Sequence, residues 1–115
     1  MYPSTFETMR VITNNLERCS EALTALGKVV DPEIGLNIVD LGLVYELDFD
    51  EAARKIYLSM TLTTQFCPMG AAIIDLTKIA LETKFPREVI QVELIFDPPW
   101  THEMISETGK NFLSK

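Results

Sequence analysis

Histidine occurs once in this sequence, at His102, and cysteine twice, at Cys19 and Cys67. With so few soft ligands, one chain holds no self-contained zinc site and no four-cysteine cluster site. Positive charge is also short: seventeen acidic residues stand against ten basic ones, a net charge of −7. That field repels phosphate backbones and anionic lipid surfaces, so no nucleic acid and no membrane is expected as a partner. No apolar run nears the roughly 18–20 residues of a membrane-spanning helix. The opening stretch, Met1-Tyr2-Pro3-Ser4-Thr5-Phe6-Glu7, lacks the basic-then-apolar order of a signal peptide. A cytosolic protein is expected. The GxxxxGK, GxGxxG, HExxH, CxxC and GxSxG patterns are missing, so nucleotide binding, zinc hydrolysis and serine esterase chemistry have no support in the sequence.

What is present is an ordinary globular composition, with 47% hydrophobic and 23% charged residues in 115. A chain of that size buries roughly two thirds of its unfolded surface, enough for one core without disulfides. We therefore expect a single domain over 1–115. Phe6, Met9, Ile12, Leu16, Cys19, Leu23, Leu26 and Val30 recur at steps of three and four, the stripe of an amphipathic helix. Asn14-Asn15 is its weak point, and Asp31-Pro32 its latest stop. Residues 1–16 read as a helical N-terminal extension.

The stretch from Asp31 to Gly42 mixes turn formers with aliphatics, which suits a loop packed on the domain. Tyr45, Leu47 and Phe49 alternate with acids, and Ile56, Leu58, Met60 and Leu62 alternate with polar residues. These predict two strands joined as an antiparallel hairpin. Pro68 suits the first turn of a second helix, with Met69, Ala72, Ile73, Leu76, Ile79 and Ala80 as its buried face. Phe85-Pro86 ends it, Val89 to Phe96 predicts a third strand, and a short helix from about Thr101 closes the chain. The expected fold is α/β: a compact two-layer sandwich of a three-stranded mixed sheet with helices packed on it, in the order α-β-β-α-β-α.

Cys67 is the sharpest chemical feature. If it sits at the N-cap of the second helix, unpaired N–H groups and the helix dipole favour its thiolate, a nucleophile and metal ligand. An inert capping residue is the equally weighted alternative. Cys19, inside an apolar stripe, reads as core. Among Asp31, Glu33 and Asp40, the last stands out because it is wedged between Ile38-Val39 and Leu41-Gly42-Leu43, where a carboxylate needs a partner or a purpose. Otherwise Asp31 is a turn residue and Asp40 a cap. Thr61 and Thr64 read as strand-end polar groups, and Thr63 stays open as a hydrogen-bond donor to a ligand. Trp100, behind the rigid Pro98-Pro99, is either an interface anchor or a lid on the sheet.

Taken in order, Asp31-Pro32-Glu33-Ile34-Gly35, Asn37 to Tyr45, Thr61-Leu62-Thr63 leading to Cys67-Pro68, and Asp97-Pro98-Pro99-Trp100 resemble the iron–sulfur assembly family that includes SufT and PaaD-like proteins. The likeness runs from about Glu17 to Leu113. It implies a small α/β domain that assists maturation of iron–sulfur proteins through a reactive cysteine and a nearby acid. Carried over by position, Cys67 takes the cysteine role and Asp40 the acid role, while Glu33 and Thr63 fall at matching motif positions. Two features depart from the family: His102 stands where a proline is common, and the stretch before Glu17 is longer than the minimal domain.

The leading expectation is therefore an accessory factor for iron–sulfur cluster assembly or transfer, without turnover chemistry of its own. Its partners would be iron–sulfur scaffold or client apoproteins, and a homodimer is a further option. No firmly bound cofactor is expected, only transient iron or an iron–sulfur cluster, with Cys67 giving one ligand of a shared site. A cysteine-dependent thiol enzyme is the alternative, short of an evident general base. A pure interaction adaptor built on Trp100 is the other.

Overall fold

The computed structural model describes residues 11–66 and 68–114. The elements are β1 (Ile12–Thr13), α1 (Leu16–Leu26), β2 (Val44–Asp50), β3 (Lys55–Met60), α2 (Gly70–Lys84), β4 (Val89–Leu94), a 3-10 turn (His102–Met104) and α3 (Glu107–Leu113). The sheet is mixed and four-stranded, in the order β1-β2-β3-β4. The expected hairpin is present, with Leu47 opposite Leu58 and Asp50 opposite Lys55. β4 runs parallel to β3, so α2 is the expected crossover between them.

The strand missing from the sequence-based count is β1. It pairs parallel to β2 through Ile12–Glu46 and Thr13–Leu47, where the three-four stripe predicts helix. The Asn14-Asn15 pair explains the change. Asn14 acts as a side-chain extension of the strand: its Oδ1 accepts from Phe49 N–H at 3.0 Å and its Nδ2 donates to Phe49 O at 2.9 Å. Asn15 then caps α1, its Oδ1 accepting from Arg18 N–H at 3.0 Å. So Ile12 and Thr13 of the expected 1–16 helical extension are strand. Val11, Asn14 and Asn15 are not helical either, α1 beginning only at Leu16, and residues 1–10 of that expectation, with Phe6 and Met9, lie outside the described residues.

The core-facing side of α1 is Cys19, Ala22, Leu23 and Leu26. Leu16 and Val30, expected on the same stripe, are exposed, because the helix begins at one and ends before the other. Arg18 closes the far end of the layer: its guanidinium lies over the rings of Phe49 and Phe85 and reaches Glu88 at 3.6 Å.

In α2 the stripe that meets the sheet is Gly70, Ile73, Thr77 and Leu81. Ala72 and Ala80, expected there, are half-buried. Met69, Leu76 and Ile79, also expected there, are exposed. The apolar face of this helix is wider than the surface available to cover it. The helix also starts later than Pro68 suggests. Met69 is the N-cap and Ile73 N–H to Met69 O, at 3.0 Å, closes the first turn. Pro68 lies in the turn that leads in, where a missing N–H leaves no bond unmade. No helix among the described residues is long and apolar enough to cross a membrane.

Candidate functional site

The described parts of the motif stretches lie on segments that meet one end of the sheet. The loop from Asp31 to Leu43 enters β2, Thr61 and its successors leave β3, and the segment after Leu94 leaves β4. Thr61 N–H donates to Leu43 O at 2.9 Å and Ile95 N–H to Met60 O at 2.8 Å, which ties the entry to β2 and the exits from β3 and β4 together. The entry loop is built into the core rather than draped over it: Leu36, Ile38, Leu41 and Leu43 are buried. Asp31, also buried, folds its own turn, with Oδ1 accepting from Glu33 N–H at 2.9 Å.

Asp40 is half-buried and doubly held. Its Oδ2 accepts from Asn37 Nδ2 at 2.7 Å and its Oδ1 from the Ser106 hydroxyl at 2.7 Å. Its carbonyl takes the Ser106 N–H, again at 2.7 Å. Ser106 is buried and caps α3, its Oγ accepting from Gly109 N–H at 3.0 Å. The acid flagged by its aliphatic setting thus has its partner on the far side of the chain. It joins the entry loop to the terminal helix.

Trp100 is half-buried. Its Nε1 donates to Leu41 O at 2.6 Å, and its ring lies 5.2 Å from that of His102. Beside it, a register irregularity between Val44 and Glu46 makes Tyr45 the extra residue of β2. A bulge of this kind re-aims a side chain, and the Tyr45 hydroxyl reaches Pro98 O at 2.8 Å. Burial pushes the Tyr45 phenol above its ordinary range, opposed by a hydrogen bond with Thr61. Val39, Gly42, Tyr45, Pro98 and Met104 line an apolar groove of about 460 Å³. Glu103 also borders it; its carboxyl is held below the usual carboxylate range by its own backbone N–H and by Thr101.

Of the residues singled out in the sequence, Asp40 and Trp100 are brought onto the same loop, at neighbouring attachment points. Glu33 is exposed on the Asp31 turn, and Thr63 is half-buried where the chain leaves β3. Cys67 lies outside the described residues. The helix that follows it has its N-cap at Met69, two positions later, so the cap role expected of Cys67 passes to Met69. Among the described residues, no three His, Cys, Asp or Glu side chains group as a metal site. Tyr45, Asn37 and Ser106 are the site residues that sequence reasoning missed. Only Ser106 carried a local signal, as a serine directly before Glu107 and a helical run.

The profile described as "Iron-sulfur cluster assembly protein" matches residues 20–94. The chain belongs to this family. The match covers the stretch from α1 to β4, including Asp40, Thr63 and Cys67. Within the family's reach, the chain is 42% identical over 86 residues to "Fe-S protein maturation auxiliary factor YitW" of Bacillus subtilis, covering 75% of this chain and 83% of that one. It is also 42% identical over 82 residues to the "Fe-S protein maturation auxiliary factor SufT" of Staphylococcus aureus, covering 71% and 92%. A solved structure of a domain of unknown function from Bacillus anthracis superposes with a TM-score of 0.77 at 37% identity, over 82% of this chain and 89% of that one.

The other cysteine has a clear place. Cys19 is fully buried, and burial pushes its thiol above the ordinary range, a Thr13 hydrogen bond opposing. Native protein treated with iodoacetamide is therefore expected to label at Cys67 well before Cys19, with Cys19 reacting only on unfolding. Equal rates, followed by mass spectrometry of the two peptides, would contradict this. The sign of the shift also sets a pH dependence: a thiol kept neutral in the fold lowers stability as pH rises past its ordinary value of about 8.5.

Proposed function

We propose that this chain is an accessory factor that helps assemble iron–sulfur clusters or pass them to client proteins in the cytosol, with Cys67 as a transient thiolate ligand of iron or of the cluster. Family membership is the observation that carries this reading. The chemistry of the chain supports it: thiolates are the usual cluster ligands, and the described parts of the motif stretches lie on segments that meet one end of the sheet. One cysteine holds no cluster alone, so the site is completed by a second copy of the chain or by a scaffold or client apoprotein. On this reading Asp40 and Trp100 set the shape of that end, Thr63 and Glu33 belong to it by motif position, and no turnover chemistry is assigned to the chain.

The test is aconitase activity in the source strain depleted of this protein and limited for iron. Wild type is expected to restore activity, and Cys67→Ala to leave it near the depleted level. Full rescue by Cys67→Ala would remove the thiolate from the mechanism. An absence of any defect on depletion would count against the assembly role itself.

A further inference from the structure

α2 carries two apolar stripes, and only one is used by the fold. The second runs Met69, Ala72, Leu76, Ile79 at helical spacing. Leu76 is 48% exposed and Ile79 55%, whereas a side chain meant for the core would be covered. Beside this stripe α1 forms the other wall of a groove of about 420 Å³, floored by Leu76, Ile79, Ala25 and Val29. Each wall contributes one lysine, Lys28 after α1 and Lys84 at the end of α2, and no acid lines the groove. Neither lysine forms an ion pair among the described residues. In a chain of net charge −7, an apolar groove flanked by two unpaired cations is a local reversal of sign.

We propose that this groove is a docking site for an acidic amphipathic helix of a partner protein. An apolar helix face laid into a groove gains from burial, and carboxylates flanking that face meet Lys28 and Lys84, which fixes orientation and speeds encounter. A basic or neutral helix gains only the apolar part. The stripe begins at Met69, two residues beyond Cys67 in sequence, so a helix seated on it lies along the element that follows the cysteine loop. The surface is argued without reference to the thiolate, and its test does not depend on cluster chemistry.

The probe is a fluorescent peptide of about 18 residues, long enough to form a helix, with leucines at i, i+3, i+4 and i+7 and glutamates on the flanks. A matched peptide carrying lysines in place of the glutamates is the control. Anisotropy is expected to show the acidic peptide binding more tightly than the lysine peptide, its binding weakened roughly tenfold by Ile79→Asp and by Lys28→Glu with Lys84→Glu, and weakened by added salt. All three positions are on the surface, and circular dichroism of each variant confirms the fold. Binding of both peptides alike, no binding of either, or indifference to the three substitutions would overturn the proposal. So would a protein dimer, seen by sedimentation, that Ile79→Asp dissolves, since that assigns the groove to a second copy.

Discussion

Gly42→Ala is expected to destabilise the protein by about 3–4 kcal/mol, against about 1 kcal/mol for Gly35→Ala. Both glycines have positive φ, +81° and +83°, so both alanines carry the strain of the left-handed region. The difference lies in what a Cβ would meet. At Gly35 nothing lies within 4 Å, whereas at Gly42 the new carbon would overlap the carbonyl oxygen of Met104 and come within 2.8 Å of its carbonyl carbon. Those are backbone atoms with little freedom to retreat. Met104 N–H donates to Thr101 O at 3.0 Å, and two residues later Ser106 N–H holds Asp40 O. Relief of the clash therefore means lifting the terminal segment off the entry loop. Urea denaturation checks it: with a slope of about 1–3 kcal/mol/M for a small domain, Gly42→Ala should shift the midpoint by at least about 1 M. Equal shifts for the two variants would show that Met104 is not held where the geometry puts it.

The parts of the fold legible in the sequence are those whose period is backed by length. The β2–β3 hairpin, the loop packed with aliphatics and the crossover α2 all follow from patterns that persist over several residues. β1 was hidden because two residues carry no period, and Ile12 falls in step with the helical stripe on either side. What ends that stripe is a hydrogen-bonding choice by Asn14, whose partner Phe49 lies on another strand. α2 shows a different limit. Its apolar residues fill two adjacent stripes, and periodicity identifies an apolar side without saying how much of it the sheet can cover. The outcome depends on α1 and β4, not on α2.

The site was legible in kind more than in connection. An acid set among aliphatics pointed to Asp40 on desolvation grounds alone, and the structure supplies the donors that reasoning required. Trp100, left between anchor and lid, is tied through its indole N–H to Leu41 O. Ser106, sixty-six positions from Asp40, had no visible link to it. Tyr45 was expected on a regular strand face, and only the bulge turns it toward Pro98. Proline placed the start of α2 too early because Pro68 is equally at home in the turn before a helix as at its first position.

Ser106→Ala is the second large effect, expected at about 3 kcal/mol. Two contributions are removed together. One is an N-cap, worth about 1 kcal/mol, since Ser106 Oγ accepts from Gly109 N–H. The other is a hydrogen bond to a half-buried carboxylate, worth about 1.5–3 kcal/mol, with Asp40 Oδ1 left short of a donor. Asp40→Asn is expected to cost about 1–2 kcal/mol, because one amide cannot accept at both ends. If its NH2 replaces Oδ2 it faces Asn37 Nδ2, and if it replaces Oδ1 it faces the Ser106 hydroxyl proton. The pair should therefore be coupled: the double variant is expected to lose about 1–2 kcal/mol less than the sum of the two singles. Hydrogen exchange locates the loss, which should appear first in the amides of α3 and of the loop from Asn37 to Leu43. Additive costs would mean that Asp40 does not hold the terminal helix through Ser106. The carboxylate would then be free for the acid role that its motif position implies, whereas strong coupling makes it the fastener that sets the shape of this end of the sheet.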